Sequence, residues 1–225
     1  MTEARGDALI RELERRFVVV TDRVYFGERS FDVLLPRSAE ELISEEDFAS
    51  DERLPYWADI WPSSIILAGR LLEEQGDGRR LLELGCGLGL ATMAAMRVGF
   101  EVLATDYYKE ALHFTRANAW RAFGREPQTR LVDWRALPND LDHFDRVVAA
   151  DVLYERPYPQ LVASAIERTL APAGEATVAD PGRAAVGDFL KRCETSGLIV
   201  GAPEVRPFVS GTVRQRITLY PVRRR

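Results

Sequence analysis

The sequence is poor in the residues that build metal centres and disulfide scaffolds. It has two cysteines and two histidines in 225 residues. Cys86 and Cys193 are too few for a secreted disulfide framework and lack the spacing of metal ligands, so no metal is expected. Nor is there an apolar run approaching the ~18 residues of a transmembrane helix. The opening MTEARGDALIRELERR is charged where a signal peptide would be apolar, which points to the cytoplasm and to no membrane partner. A basic excess is also missing: 30 Lys and Arg stand against 35 Asp and Glu, a net charge of −5. A protein that neutralises phosphates usually carries the opposite balance, so nucleic acid is not expected as a partner. There is no internal repeat and no low-complexity segment. What is present is an ordinary globular mix, 46% hydrophobic and 29% charged, in a chain long enough to bury a core without staples.

Two regions read differently. Residues 1–55 form an extension: an amphipathic helix with Leu9, Ile10, Leu13 and Phe17 on one face, then short apolar runs at 17–20, 24–26 and 31–35 that suggest an antiparallel hairpin or meander. The acidic stretch Glu40 to Glu52 reads as a loop or weak helix. Residues 56–225 alternate strand and helix patterns. Strand-like runs fall at 81–84, 102–105, 129–132, 146–150 and 176–179, with helical faces between most of them. Gly124 is placed to cap one helix and Gly197 to stop another. Such alternation predicts an α/β fold, a doubly wound, mostly parallel sheet covered on both faces. The tail departs from it: 198–205 and 213–220 are both strand-like, joined by a loop with Pro207 and Gly211, and should close the sheet as an antiparallel hairpin.

The most informative segment is Leu81-Leu-Glu83-Leu-Gly85-Cys-Gly87-Leu-Gly89-Leu90. A buried strand enters three alternate glycines and a helix starts at once. Glycine admits positive φ and lets a ligand approach the backbone where a Cβ would collide. The pattern G-x-G-x-G differs from the dinucleotide G-x-G-x-x-G, and the absence of G-K-[ST] excludes a P-loop. The next strand ends in Asp106, 23 residues after Glu83, where a carboxylate can accept hydrogen bonds from both ribose hydroxyls.

These residues resemble the seven-β-strand S-adenosylmethionine-dependent methyltransferases, over residues 57–220. Glu83, Gly85, Gly87 and Gly89 look like that family's first motif and Asp106 like its second-strand acid. The resemblance implies S-adenosyl-L-methionine as cofactor and a strand order 3-2-1-4-5-7-6 with strand 7 antiparallel. It also implies that Asp133 hydrogen-bonds the adenine amine, with Trp134 packing on the ring.

The fourth strand runs into Asp151-Val-Leu-Tyr154. It lacks the prolines of the [ND]-P-P-[YFW] segment of base methyltransferases and is similar to the D-x-x-Y motif of a subgroup of protein-lysine methyltransferases. Trp57-Ala-Asp-Ile-Trp61-Pro-Ser and Asp180-Pro-Gly-Arg183 add to the likeness, which is greatest to the lysine methyltransferases of the electron-transfer flavoprotein β-subunit. The resemblance implies a protein substrate, with Asp151 and Tyr154 orienting a lysine amine and Trp61 walling its stem. A small-molecule N-methyltransferase, or an idle cofactor-binding protein, remains the alternative. Cys193 reads as a buried structural thiol, Ser63 and Ser64 as helix caps, His113 and His143 as solvent-facing or capping residues, and Arg223 to Arg225 as a solvated tail.

Overall fold

The structure, a computed structural model, describes residues 2–39, 42 and 55–225. The acidic stretch therefore lies, Leu42 apart, outside the described residues. An N-terminal helix α1 (Thr2–Arg16) leads into the hairpin β1 (Val19–Phe26) and β2 (Arg29–Pro36). Thr21 and Asp22 do not interrupt the first strand: the two apolar runs around them form one strand, paired antiparallel with β2 from Val19↔Pro36 to Phe26↔Arg29. Gly27, with φ 62°, makes the turn.

The remaining elements follow in order: α2 (Pro62–Leu71), β3 (Arg80–Leu84), α3 (Leu90–Arg97), β4 (Glu101–Asp106), α4 (Lys109–Phe123), β5 (Gln128–Leu131), β6 (Phe144–Ala150), α5 (Tyr158–Thr169), β7 (Leu170–Asp180), α6 (Val186–Thr195), β8 (Leu198–Val200), β9 (Glu204–Ser210) and β10 (Val213–Arg224). The sheet order is β5-β4-β3-β6-β7-β10-β8. Strands β5 to β7 run parallel and β10 is antiparallel to β7, the topology that the family resemblance implied. Helix ends follow the expected chemistry: Gly124 caps α4 with φ 65°, and Gly197, with φ 72°, follows α6. Cys193 is fully buried on the inner face of α6.

The closing hairpin differs from expectation. The predicted strand 198–205 is broken at 201–203; β8 and β9 lie end to end along one edge of β10, and Pro207 sits inside β9 opposite Arg216. Proline is tolerated there because β9 pairs with β10 alone, so no ladder bond on the other side is lost. The final arginines are not a free tail either. Arg223 pairs with Glu175, and Arg224 Nε donates to the Leu170 carbonyl at 2.7 Å, because β10 runs on to residue 224.

The extension shares its core with the rest of the chain. Leu13, Phe31, Val33 and Leu34 pack in one cluster with Phe114, Ala117 and Met93. Helix α1 approaches α4 so closely at Gly6 that a Cβ there would overlap the Trp120 ring. Asn118, fully buried on α4, accepts from Leu34 N (2.6 Å) and donates to the Leu34 and Leu88 carbonyls (3.0 and 2.9 Å). One side chain thus ties the N-terminal hairpin to the glycine loop.

Candidate active site

The carboxyl ends of β3, β4 and β6 open into a cavity of about 350 Å³. Nine of the ten residues singled out in the sequence line it: Trp61, Glu83, Gly85, Gly87, Asp106, Asp133, Trp134, Asp151 and Tyr154. Gly89 does not. Its φ of 82° starts helix α3, and a Cβ there would lie 2.8 Å from Thr115, so its duty is to let the loop pack on α4.

On one side the cavity is built from backbone. Gly85 N and Cys86 N both donate to the Thr105 carbonyl at 2.9 Å, locking the loop to the end of β4. Gly87 has φ 52°, and a Cβ on it would come 3.2 Å from the Trp57 carbonyl. The Asp106 carboxylate accepts from Gly87 N and Tyr108 N, each at 2.9 Å. Burial pushes Asp106 up to about 6, against the lowering effect of these backbone donors. Glu83 lies on a central strand, 3% exposed, and accepts a short hydrogen bond from Thr92 Oγ1. Desolvation dominates there too and raises it to about 8.

Asp133 heads a short 3₁₀ turn and is held by Arg135, whose backbone N (2.9 Å) and guanidinium Nε and Nη2 (3.0 and 2.8 Å) all donate to it. Arg135 also lies 5.5 Å over the Tyr107 ring. The Trp134 ring meets Tyr158 edge-on at 5.5 Å, and its buried Nε1 has no hydrogen-bond partner among the described residues.

The opposite side is made of side chains. Tyr154 is in edge contact with Tyr56 (5.1 Å) and Tyr158 (5.0 Å), and Tyr56 with Trp61 (6.0 Å), whose Nε1 donates to the Tyr56 carbonyl. Desolvation, followed by the neighbouring Tyr158, holds the Tyr154 phenol well above its usual range, so it stays a hydrogen-bond donor. Asp151 adopts φ 59°, a conformation that costs a non-glycine residue about 1 kcal/mol or more and clusters at functional sites. Its Oδ1 accepts from Arg183 Nε at 2.6 Å and its Oδ2 from Ser63 Oγ at 3.0 Å. Ser63 is therefore no helix cap, and Ser64 instead donates back to the Trp61 carbonyl.

Sequence reasoning missed Tyr56, Tyr158 and the clamp of Arg183 on Asp151. Tyr158 opens α5 just after the strand tip, and neither it nor Arg183 gave a local signal of its partner.

A family model described as a methyltransferase domain matches residues 75–200. The chain belongs to that family. It is 30% identical over 138 residues to the electron transfer flavoprotein beta subunit lysine methyltransferase of Danio rerio, covering 60% of this chain and 53% of that protein. It is 31% identical over 117 residues to protein-lysine methyltransferase METTL21E of Mus musculus, 46% of this chain and 47% of that protein. A ubiquinone biosynthesis O-methyltransferase of Alkalilimnicola ehrlichii is 31% identical over 98 residues, 44% of this chain and 40% of that protein. The chain spans about half the length of the curated relatives it matches. Among solved structures, magnesium protoporphyrin IX methyltransferase from Synechocystis, with bound SAM, aligns with a TM-score of 0.59 at 16% identity, over 83% of this chain and 97% of that one.

The Synechocystis neighbour is solved with SAM bound, and the residues present here fit such a cofactor. The turns at Gly85 and Gly87, where a Cβ would come 3.2 Å from the Val152 side chain and from the Trp57 carbonyl, the Asp106 carboxylate beside them and the unpartnered Trp134 Nε1 offer a cradle, an acceptor and a donor along one cavity.

Proposed function

We propose that this protein is a protein-lysine N-methyltransferase of the cytoplasm. The observation that carries the proposal is the placement of Asp151 and Tyr154 at the tip of β6, in the same cavity as the glycine loop and walled by aromatic rings. The approximately 30% identity to two proteins named as lysine methyltransferases supports it.

When bound, S-adenosylmethionine supplies a methyl group on a sulfonium, ready for in-line displacement by a nucleophile. The protein's part is orientation. Asp106 takes the ribose hydroxyls while Gly85 and Gly87 leave room for the backbone to approach the cofactor. Asp133 and Trp134 hold the adenine, by a hydrogen bond and by packing. Tyr154 accepts an N–H of the acceptor amine through its phenol oxygen and leaves the nitrogen lone pair free to attack, and Asp151 sets the strand tip around it. The faces of Trp61 and Tyr56 accept the aliphatic stem and would tolerate the positive sulfonium of the cofactor.

A small-molecule acceptor is the second reading, favoured by the similar identity to a ubiquinone biosynthesis O-methyltransferase. Incubating the protein with methyl-labelled cofactor and cell lysate decides between them. Label in a protein band, recovered as methyl-lysine after hydrolysis, is the expected result. Label confined to the small-molecule fraction would overturn it.

A further inference from the structure

The proposed acceptor tip carries a fixed counter-charge. Arg183 donates through both Nε and Nη2 to Asp151 Oδ1, while Ser63 occupies Oδ2, so both carboxylate oxygens of Asp151 are engaged. This arginine is held in place rather than drifting. Asp180, fully buried, accepts from Gly182 N and Arg183 N at 2.7 Å, and Gly182 turns the chain with φ 94°. Its guanidinium also lies 5.8 Å over the Tyr154 ring, and both Arg183 and Asp151 line the cavity. An open carboxylate at this place would be a trap for any ammonium ion. With Arg183 against it, the Asp151–Arg183 pair carries no net charge and the pull of the carboxylate on an ammonium ion is lost.

We propose that Arg183 is a specificity-determining residue: by neutralising Asp151 it keeps the acceptor side of the mouth from trapping ammonium ions, so that the amine acceptor is taken uncharged. This inference rests on the amine-acceptor reading above and adds how that amine is selected. Charge, not hydrogen bonding alone, is the operative property, because Arg183 and Ser63 both donate to Asp151 and only the guanidinium offsets its charge. Lysine at position 183 would keep the charge while losing the forked geometry.

The test is calorimetric binding of n-butylammonium to the full-length protein, with no methyl transfer involved. Wild type and Arg183→Lys should bind it weakly. Arg183→Gln, which keeps donors and removes the charge, should bind it at least about tenfold more tightly, and Arg183→Gln with Asp151→Asn should return to the wild-type value. Should Arg183→Gln fail to fold, Asp151→Asn alone serves: the unopposed guanidinium should then bind n-butyrate at least about tenfold more tightly than wild type does. No tightening in a folded Arg183→Gln, or tightening that persists in the double variant, would overturn the proposal, as would unchanged butyrate affinity in Asp151→Asn. These affinities do not depend on the lysate experiment. Failure to label a protein lysine there, with the charge effects intact, would count against the protein-lysine reading and not against the role of Arg183.

Discussion

The two sides of the cavity are built by different means. The glycine-loop side is largely backbone: Gly85 and Gly87 in positive φ, with amides donating to Thr105 and Asp106. The tip side is a mosaic of side chains from three separated segments, Tyr56 to Ser63, Asp151 to Tyr158 and Asp180 to Arg183. Backbone geometry tolerates few residue types, whereas a wall of rings and one ion pair can be re-cut by single substitutions. One side suits a constant ligand and the other a choice among acceptors.

The largest effects should come from the tip. Asp151→Ala removes the partner of Arg183 and Ser63 and should lower turnover on the order of 10²-fold, the scale of a lost alignment when geometry is critical. Tyr154→Phe keeps the ring contacts and deletes only the hydroxyl, so turnover should fall while cofactor affinity holds. Single-turnover rates at saturating cofactor, beside calorimetric affinities, separate the two quantities. Normal turnover in both variants would mean that the contrast between the two sides is not one of donor and acceptor.

On the loop side, Asp106→Ala should weaken S-adenosylmethionine by about 1.5–3 kcal/mol, roughly tenfold to a hundredfold. Asp106→Asn is the control for the loop, since it keeps one acceptor, for Gly87 N, while losing the charge and the acceptor for Tyr108 N. A variant that bound cofactor normally would show that the carboxylate serves only the loop's own amides.

The pH dependence of cofactor binding is a finer probe of the same side. Apo Asp106 sits near 6, and its ionised form is the one that accepts hydroxyl hydrogens. Affinity should therefore be flat above pH 7, fall about twofold near pH 6, and drop roughly tenfold by pH 5. In Asp106→Asn that slope should vanish.

The sequence made these two sides unequally legible. The loop could be read because positive φ selects glycine and because a strand end needs an acid at a fixed distance; Gly85, Gly87 and Asp106 follow from local rules. The sheet order came from family likeness, though the antiparallel closure was visible in the tail's own pattern. The break at 201–203 and the proline inside β9 were not, because tolerance of a missing N–H depends on which edge the strand occupies. Long-range partners were the least legible. Ser63 reads locally as a cap and Arg183 as a loop residue, yet Asp151 joins them across 88 and 32 positions. Asn118, which pins the N-terminal hairpin to the glycine loop, is invisible for the same reason.

The smallest effect expected concerns stability rather than function, and it sharpens how the loop side is held. Glu83 is buried on the central strand β3, and desolvation raises it from the ordinary glutamate range to about 8, with Asp106 adding to the rise and Thr92 opposing it. In the unfolded chain it titrates near 4.5. A carboxyl raised by folding binds its proton more tightly in the native state. Its stabilising contribution is thus complete below about pH 4.5 and is lost as pH rises through about 8. Between these limits the wild-type apo protein should lose thermal stability with rising pH, after allowance for the parallel and smaller rise at Asp106. Glu83→Gln keeps the size of the side chain and a hydrogen-bonding partner for Thr92 but cannot ionise. Its unfolding temperature should be flatter across pH 5 to 8, and the two curves should converge at the acid end. Parallel curves for the two proteins would mean that Glu83 is already ionised in the folded state, and the loop would then rest on a buried charge rather than on a neutral acid.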